Sequence, residues 1–347
     1  MGRVTKLVLL LVLAAAPWYL SAYDLSLLGR FLALALPALG IVWLWGYAGV
    51  LSLGQGVFFG IGGYALAMHL KLVGLANQEL PDFMVWNGVS ALPWWWAPFR
   101  SPAFSLLAVL CLPPATAAAL GFLLFRRRIT GVYVSLITQA LALAFATLLI
   151  SQQGLTGGFN GLTNFSTFLG FDVGSQGFHR ALYWTTAALV GAVLAGAGGL
   201  LRTDFGRLLL AIRDAENRVR FLGYDPAPCK VMAFAISAFL AGLGGALFTL
   251  HVGVISPAMV GVVPSIEMVI WAAMGGRTHP VGAVAATVAV NLIKDRISSA
   301  LPDAWLYLAG LLFLATVLLG PSLSRWRVLR RAKLSASSSQ QEVAYVP

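Results

Sequence analysis

The stretch Arg202–Lys230 reads RTDFGRLLLAIRDAENRVRFLGYDPAPCK and forms a long polar run between two apolar segments. It holds six Lys or Arg residues and four Asp or Glu residues, which leaves a net charge of +2. We refer to it as the polar connector. Because Lys and Arg in connectors between membrane spans are retained in the cytoplasm, this composition predicts a cytoplasmic position.

Apolar residues recur in the polar connector at helical spacing, which predicts a helix with one apolar and one charged face. They are Leu208, Ile212, Ala215, Val219 and Leu222. Gly223 is a suitable helix end, and Pro226 and Pro228 prevent continuation. A short amphipathic helix of this kind either docks a soluble partner or lies on the lipid headgroups as a solvated connector.

The composition of the whole chain is that of an integral membrane protein. Hydrophobic residues make up 59% of the 347 residues and charged residues 10%, with a mean hydropathy of +0.84. A soluble domain carries roughly a quarter charged residues. The net charge of +11 lies in short loops, where it fixes topology, and does not indicate nucleic-acid binding. The two cysteines give neither a disulfide framework nor a metal site.

Apolar stretches near the ~20 residues needed to cross a bilayer recur along the chain. They predict an all-α, polytopic helical bundle of about ten transmembrane segments. The first stretch is also compatible with a cleaved signal peptide, but Trp18 and Tyr19 suit a membrane interface and favour a retained span. The predicted spans are Leu7–Leu20, Leu27–Trp45, Val50–Leu70, Ala103–Phe125, Gly131–Ile150, Ala181–Leu201, Val231–Val252, Pro264–Met274 (with a start near Ala258), Val281–Ile297 and Ala304–Leu319.

The positions of the basic residues agree with this number of spans. With the N-terminus inside, ten crossings place Arg126–Arg128, Arg202–Lys230 and Arg325–Lys333 in the cytoplasm, together with both termini. Residues 1–320 are therefore predicted to form a transmembrane domain, with the polar connector, 202–230, as its cytoplasmic loop. Residues 321–347 are predicted to form a basic, disordered cytoplasmic tail.

The sequence contains none of the short motifs that mark common enzyme sites. It has no GxxxxGK[ST] loop that could hold a nucleotide phosphate, and no HExxH, CxxC or GxSxG. We therefore expect the chain not to be an enzyme, and to bind neither a cofactor nor a metal ion.

Neutral polar residues within the predicted spans are candidates for a translocation pathway. They are Gln55, Tyr133, Ser135, Thr138, Gln139 and Thr147. Asn160, in the glycine-rich loop SQQGLTGGFNGLTNF, and Glu267, in the short eighth span, are further candidates. Polarity without charge suits a small uncharged solute that donates and accepts hydrogen bonds. Helix–helix hydrogen bonding explains the residues from Ser135 to Gln139 equally well, and Glu267 also suits an interface position.

Glycines are dense in the third predicted span, between Gly49 and Gly63. Such glycines allow helix backbones to approach closely, which favours packing as their role. The alternative is a broken helix that lines a pathway, since irregular backbone at membrane depth must be buried or face a water-filled cavity.

Three separated motifs resemble one family of membrane proteins. They are GYAGVLSLGQGVFFGIGGYA, TGGFNGLT and GRLLLAIRDAENRVRFLGYDP. These resemble the branched-chain amino acid and urea group of ABC-importer permeases, from about Leu39 to Pro321. Four stretches resemble the urea permeases within that group, and they read LPDFMVWNG, LPWWWAPF, IRDAENRVRFLGYDP and SIEMVIWAAMGGR.

This resemblance implies a subunit of a urea importer that works by alternating access in the inner (cytoplasmic) membrane of a bacterium. It implies a second homologous permease, two ATP-binding cassette ATPase subunits that hydrolyse ATP, and a periplasmic binding protein that delivers urea. The residues that it assigns to coupling with the ATPase are Arg213, Asp214, Glu216 and Gly223. Branched-chain amino acids or short amides are the alternative cargo, and a passive small-solute channel is a further alternative.

Overall fold

A computed structural model describes residue 13, residues 15–75 and 80–300, and isolated positions between 305 and 315. The described chain is mostly helical. The helices are α1 Ala22–Ile41, α2 Gln55–Val73, α3 Asp82–Trp86, α4 Pro102–Arg126, α5 Val132–Ser151, α6 Gln153–Thr156, α7 Gln176–Leu200, α8 Asp204–Phe221, α9 Pro226–Val252, α10 Val262–Gly275 and α11 Pro280–Ala300. Short 3₁₀ turns cover Ala97–Arg100, Gly158–Asn160 and Pro257–Met259.

Seven helices in the described part of the chain are long and apolar enough to cross a membrane. They correspond to the predicted second to eighth spans. The ninth predicted span forms α11, a helix that is not among the seven. Half of the first predicted span and half of the tenth lie outside the described residues, as does the whole of the tail 321–347. The total of about ten spans therefore stays a prediction.

Helix α9 lies at the centre of the bundle and packs against α1, α2 and α4. Its small residues make this possible. A Cβ atom added at Gly245 would overlap the carbonyl oxygen of Phe59 in α2, and one at Gly244 would lie 2.6 Å from Pro37 Cδ in α1. The glycines of this helix therefore serve close packing, as small residues do between membrane helices.

The chain leaves helical geometry in the interior of the bundle between α1 and α2. Helix α1 continues as a π-helix over Val42–Tyr47, and residues 49–54 are irregular. Helix α2 then begins at Gln55 rather than at Val50, where the sequence predicted the third span to start. We call residues 49–54 the break. Much of the break is buried, so its backbone groups need partners inside the protein.

Two small antiparallel sheets lie in the connections. Strand β1 Leu162–Thr163 pairs with β4 Val254–Ile255, and β2 Thr167–Phe168 pairs with β3 Phe171–Asp172. Helix α9 begins within the last residues of the polar connector and is followed by β4. Because 27 helical residues span about 40 Å, β1 and β4 lie at the end of the bundle opposite the connector.

The described residues divide into two compact units, one ending at Leu292 and the other beginning at Ile293. All of the sites described below lie in the first unit. In the second unit, the ammonium of Lys294 lies 5.3 Å from the centre of the Trp305 ring.

Candidate functional site

Two helices begin inside the bundle and meet at their first turns. Gln55 at the start of α2 and Ser265 in the first turn of α10 are both fully buried. The backbone N–H of Gly56 donates to Ser265 Oγ over 3.0 Å. A Cβ atom at Gly56 would overlap the carbonyl oxygen of Val260, so only glycine permits this approach. We call this contact between α2 and α10 the interior junction.

Helix α5 supplies partners for the backbone of the break. The N–H of Leu53 donates to Thr138 Oγ1 over 3.1 Å, and Ser135 Oγ donates to the carbonyl oxygen of Leu51 over 2.8 Å. The hydroxyl of Thr138 also lies within reach of two carbonyls of its own helix. Ser135 and Thr138 therefore hold an interrupted helix in place, which matches the hydrogen-bonding alternative raised from the sequence.

Gln55 links the interior junction to α9. Its Nε2 atom donates to the carbonyl oxygen of Ser237 and to Ser237 Oγ, each at 2.9 Å. Its Oε1 atom is buried and has no hydrogen-bond partner among the described residues. Because buried acceptors normally accept a hydrogen bond, this oxygen has the capacity to accept one.

The other predicted pathway residues lie in different surroundings. Gln139 follows Thr138 and is half-buried, whereas the side chain of Tyr133 is 71% exposed on the outer face of α5. Asn160 is exposed beside β1, at the end of the bundle opposite the connector. Glu267 is buried in α10, two residues after Ser265. The structure thus brings Gln55 and Thr138 close together in the bundle, because Thr138 bonds to Leu53 and Gln55 follows two residues later. Tyr133 and Asn160 lie elsewhere.

The polar connector contains helix α8, as the sequence predicted, but the helix is bent. Thr203 caps its start, since Thr203 Oγ1 accepts from the N–H of Gly206 over 3.3 Å. At Ala215 the backbone leaves helical geometry, with φ −155° and ψ 67°. We call this position the elbow. Ile212, before the elbow, is buried on the predicted apolar face, whereas Leu222, after it, is 76% exposed.

Arg213 lies two residues before the elbow, and its guanidinium donates hydrogen bonds to other groups of this chain. Its Nη1 donates to the carbonyl oxygen of Gly46 over 2.8 Å. Its Nε and Nη2 donate to the two carboxylate oxygens of Asp214 over 2.7 and 3.2 Å. The hydrogen bond and charge of Arg213 hold the pKa of the Asp214 carboxyl below its ordinary value.

Glu216 lies directly after the elbow and accepts from two cations. Arg220 Nη2 donates to one carboxylate oxygen over 2.8 Å, and Lys230 Nζ donates to the other over 2.6 Å. Lys230 is buried in the first turn of α9 and lies 5.8 Å from the ring centre of Phe125. Burial raises the pKa of Glu216, but the bonds and charges of Lys230 and Arg220 outweigh burial and lower it below its ordinary value.

The distal end of α8 carries an exposed apolar surface. Gly223, with φ +89°, ends the helix where the sequence predicted an end, because a left-handed residue suits glycine. Phe221, Leu222 and Tyr224 around it are all exposed. A cleft of about 570 Å³ lies beside the elbow. It is lined by Arg128, Thr130, Ala215, Glu216, Asn217, Arg218 and Arg220.

Several residues of these two sites were not identified as such from the sequence. Lys230 was counted only as a connector charge, and Ser237 and Ser265 were not singled out. The carbonyl of Gly46 gives no sequence signal. Ser237, Ser265 and Gly46 contact residues far away in the chain, and Lys230 contacts Glu216, 14 residues before it. Within the described residues, no cluster of His, Cys, Asp or Glu side chains is placed to hold a metal ion.

A bundle of apolar helices with a largely buried, irregular connection between two of them, and with an amphipathic helix between two spans, defines a polytopic membrane protein of the permease class. The chain belongs to the family described as the permease component of branched-chain amino acid transport systems, whose model matches residues 24–317. It is accordingly a permease subunit of an ABC-type transport system rather than an enzyme.

Named relatives agree with this family. The chain is 27% identical over 338 residues to the permease protein LivM of the high-affinity branched-chain amino acid transport system of Escherichia coli strain K12, and the same holds for LivM of Salmonella typhimurium. Each alignment covers 90% of this chain and 72% of the relative. A probable LivM of Methanocaldococcus jannaschii is 28% identical over 158 residues, or 44% of this chain and 45% of the relative. No solved structure matches the chain significantly.

Proposed function

We propose that the chain forms one permease half of an ATP-driven importer in a bacterial inner membrane, with the polar connector and both termini in the cytoplasm. The observation that carries this proposal is helix α8. It lies between two spans, buries one face against the bundle and exposes Phe221 and Leu222 at its distal end. An exposed apolar tip on a polar segment is typical of a surface that contacts another protein.

The partners would be a second homologous permease, two ATPase subunits and a periplasmic solute-binding protein. The ATPase would receive the tip of α8 in a cleft, and its closure on ATP would move the helix. Asp214 is exposed beside the elbow and Gly223 ends the helix, so both lie where a docked ATPase would contact them. Alternating access would follow if this movement shifted the interior junction between two arrangements.

The cargo that the interior junction favours is urea. The buried side chains of the junction, Gln55 and Ser265, are neutral hydrogen-bonding groups, and so are Ser237 and Thr138, which bind the Gln55 nitrogen and the backbone of the break. The orphan Gln55 oxygen needs an N–H donor, and urea carries four N–H groups and one acceptor. The four stretches that resemble urea permeases support the same cargo.

Branched-chain amino acids are the second candidate, because the named relatives carry that cargo in their names. A zwitterion needs partners for both charges. The first turns of α2 and α10 present helix N-termini, which favour a carboxylate, and Glu267 lies in the same turn region of α10. This arrangement would serve a bound amino acid.

Reconstitution with all partner subunits would test both proposals. We expect ATP-dependent uptake of labelled urea that excess unlabelled urea abolishes and leucine does not. Uptake that leucine inhibits and urea does not would instead assign branched-chain amino acids as the cargo. Uptake that continues unchanged without the ATPase subunits would contradict the importer and favour a passive channel.

A further inference from the structure

We infer that the elbow of α8 is fastened to the bundle at two points, one on each side of Ala215, and that Arg213 and Glu216 are positioning residues. Each passes movement of the helix tip into a different span. The inference rests on the proposed function. The resemblance assigns both residues to coupling with the ATPase, whereas their side chains are bonded to groups of this chain.

The first fastening joins the proximal part of α8 to the end of the first described span. Gly46 lies in the π-helix that continues α1, near its end, where carbonyl groups lack partners in their own helix. Arg213 Nη1 occupies one such carbonyl at 2.8 Å. The stem of Arg213 packs against Gly49, where a Cβ atom would lie 3.0 Å from Arg213 Cγ. The arginine therefore connects α8 to α1 and to the start of the break.

The second fastening joins the distal part of α8 to α9. Lys230 is buried, and Glu216 is the acceptor of its ammonium group in the described structure. A buried charge that loses its partner is strongly unfavourable, so the ammonium follows the carboxylate when Glu216 moves. Because Lys230 lies in the first turn of α9, such movement reaches the helix that packs against α1, α2 and α4.

The geometry of Ala215 separates the two fastenings. Its non-helical backbone divides α8 into a proximal part held by Arg213 and a distal part held by Glu216. The exposed residues Phe221 and Leu222 lie on the distal part. A partner that binds this tip and moves it therefore shifts α9 through Glu216 and α1 through Arg213.

The first test uses the full chain alone in lipid nanodiscs and measures hydrogen exchange of α8. Glu216→Gln should increase exchange of residues 216–223 about tenfold, because the bonds to Lys230 and Arg220 weaken. Reversing both charges, Glu216→Lys with Lys230→Glu, should restore part of the protection, because it remakes the pair with position 230 but leaves Arg220 facing a cation. Asp204→Asn is the matched control, since the Asp204 pair with Arg207 is exposed and its loss should leave residues 216–223 unchanged.

The second test measures solute transported per ATP hydrolysed in the full assembly. Glu216→Gln and Arg213→Lys should each lower this ratio several-fold while the ATPase still co-purifies, whereas Asp204→Asn and Arg207→Lys should keep the wild-type ratio. A role in folding alone would reduce the amount of assembly but not the ratio. An unchanged ratio in both Glu216→Gln and Arg213→Lys, with an active wild type, would overturn the inference. A wild type without ATP-dependent uptake would instead refute the proposed function.

Discussion

Gln55 has two amide atoms in different situations, and this difference makes a prediction about specificity. Its nitrogen is bound to Ser237, whereas its oxygen is buried without a partner in the described structure. If the oxygen accepts from the cargo, Gln55→Met should raise the KM for urea about 2- to 10-fold, the effect of one net hydrogen bond. The measurement is initial uptake against urea concentration in the reconstituted importer.

Ser237→Ala is the control for Gln55. It removes one acceptor of the Gln55 nitrogen but leaves the Gln55 oxygen in place, so the KM should stay near the wild-type value. Equal rises in KM for Gln55→Met and Ser237→Ala would show that Gln55 only fastens α2 to α9.

Asp82 makes stability depend on pH through its bond to Lys71. Lys71 Nζ donates to the Asp82 carboxylate over 2.9 Å, and Lys71 is buried near the end of α2. Burial raises the pKa of Asp82, but the hydrogen bond and charge of Lys71 outweigh it, so the folded-state pKa lies below the ordinary value of 3.8. The contribution to stability is therefore complete above about pH 4 and is lost as the pH falls through the folded-state pKa.

Asp82→Asn should remove this dependence and destabilise the protein at neutral pH. Because the Asp82 side chain is 38% exposed, we expect about 1–2 kcal/mol rather than the 3–5 kcal/mol typical of a fully buried pair. This loss of stability would be measured by thermal unfolding in detergent from pH 3 to 7, with tryptophan fluorescence as the signal. A variant that still loses the same stability between pH 4 and 3 would contradict the assignment.

At the scale of elements, the break between α1 and α2 depends on α5. The hydroxyl of Thr138 is the partner of the Leu53 N–H. Thr138→Val keeps the shape of the side chain but leaves this N–H unsatisfied, which should destabilise the protein by about 1–3 kcal/mol. Thr147→Val is the matched control in the same helix, since the exposed Thr147 hydroxyl donates only to the carbonyl of Leu143.

The two variants are compared by thermal unfolding in the same detergent. Thr138→Val should lower the midpoint clearly, and Thr147→Val should leave it within error of the wild type. Equal midpoints for the two variants would show that the bond to Leu53 does not hold the break.

The apolar elements were predictable from the sequence, but the positions of their interruptions were not. Hydrophobic stretches located the seven described spans, and helical spacing with Gly223 located α8 and its end. The dense glycines between Gly49 and Gly63 raised a broken helix only as an alternative, and the elbow has no local signal. The break and the elbow depend on the contacts of Leu53 with Thr138, and of Glu216 with Lys230, which only tertiary packing creates.

For the candidate site, the sequence identified some of the residues but not the groups to which they bind. Residue type and span position singled out Gln55 and Thr138 as candidates, and the family resemblance singled out Glu216. They did not identify partners, so Tyr133 was grouped with Thr138 although it faces outward from α5. The coupling and pathway roles of all these residues stay predictions. The coupling residues are Arg213, Asp214, Glu216 and Gly223, and the pathway residues are Gln55, Tyr133, Thr138, Gln139, Asn160 and Glu267.

At the scale of the whole molecule, charge predicts which end of the bundle faces the cytoplasm. Arg128 and Arg218 line one cleft at the connector end, together with Arg220. The opposite end carries the exposed Asn160 beside β1. Since Lys and Arg in short connectors stay in the cytoplasm, the connector end should be inside.

Single cysteines at the two ends would test this orientation in intact cells. In a background without Cys111 and Cys229, Asn160→Cys should react with a membrane-impermeant maleimide after the outer membrane is permeabilised. Arg218→Cys should react only when the inner membrane is also opened, because position 218 is exposed at the connector end, which we expect to face the cytoplasm. Labelling of Arg218→Cys from outside an intact inner membrane would place α8 in the periplasm, where no ATPase could reach it. The importer would then be wrong, and the two fastenings could not pass on movement of an ATPase, although their bonds within the chain would remain.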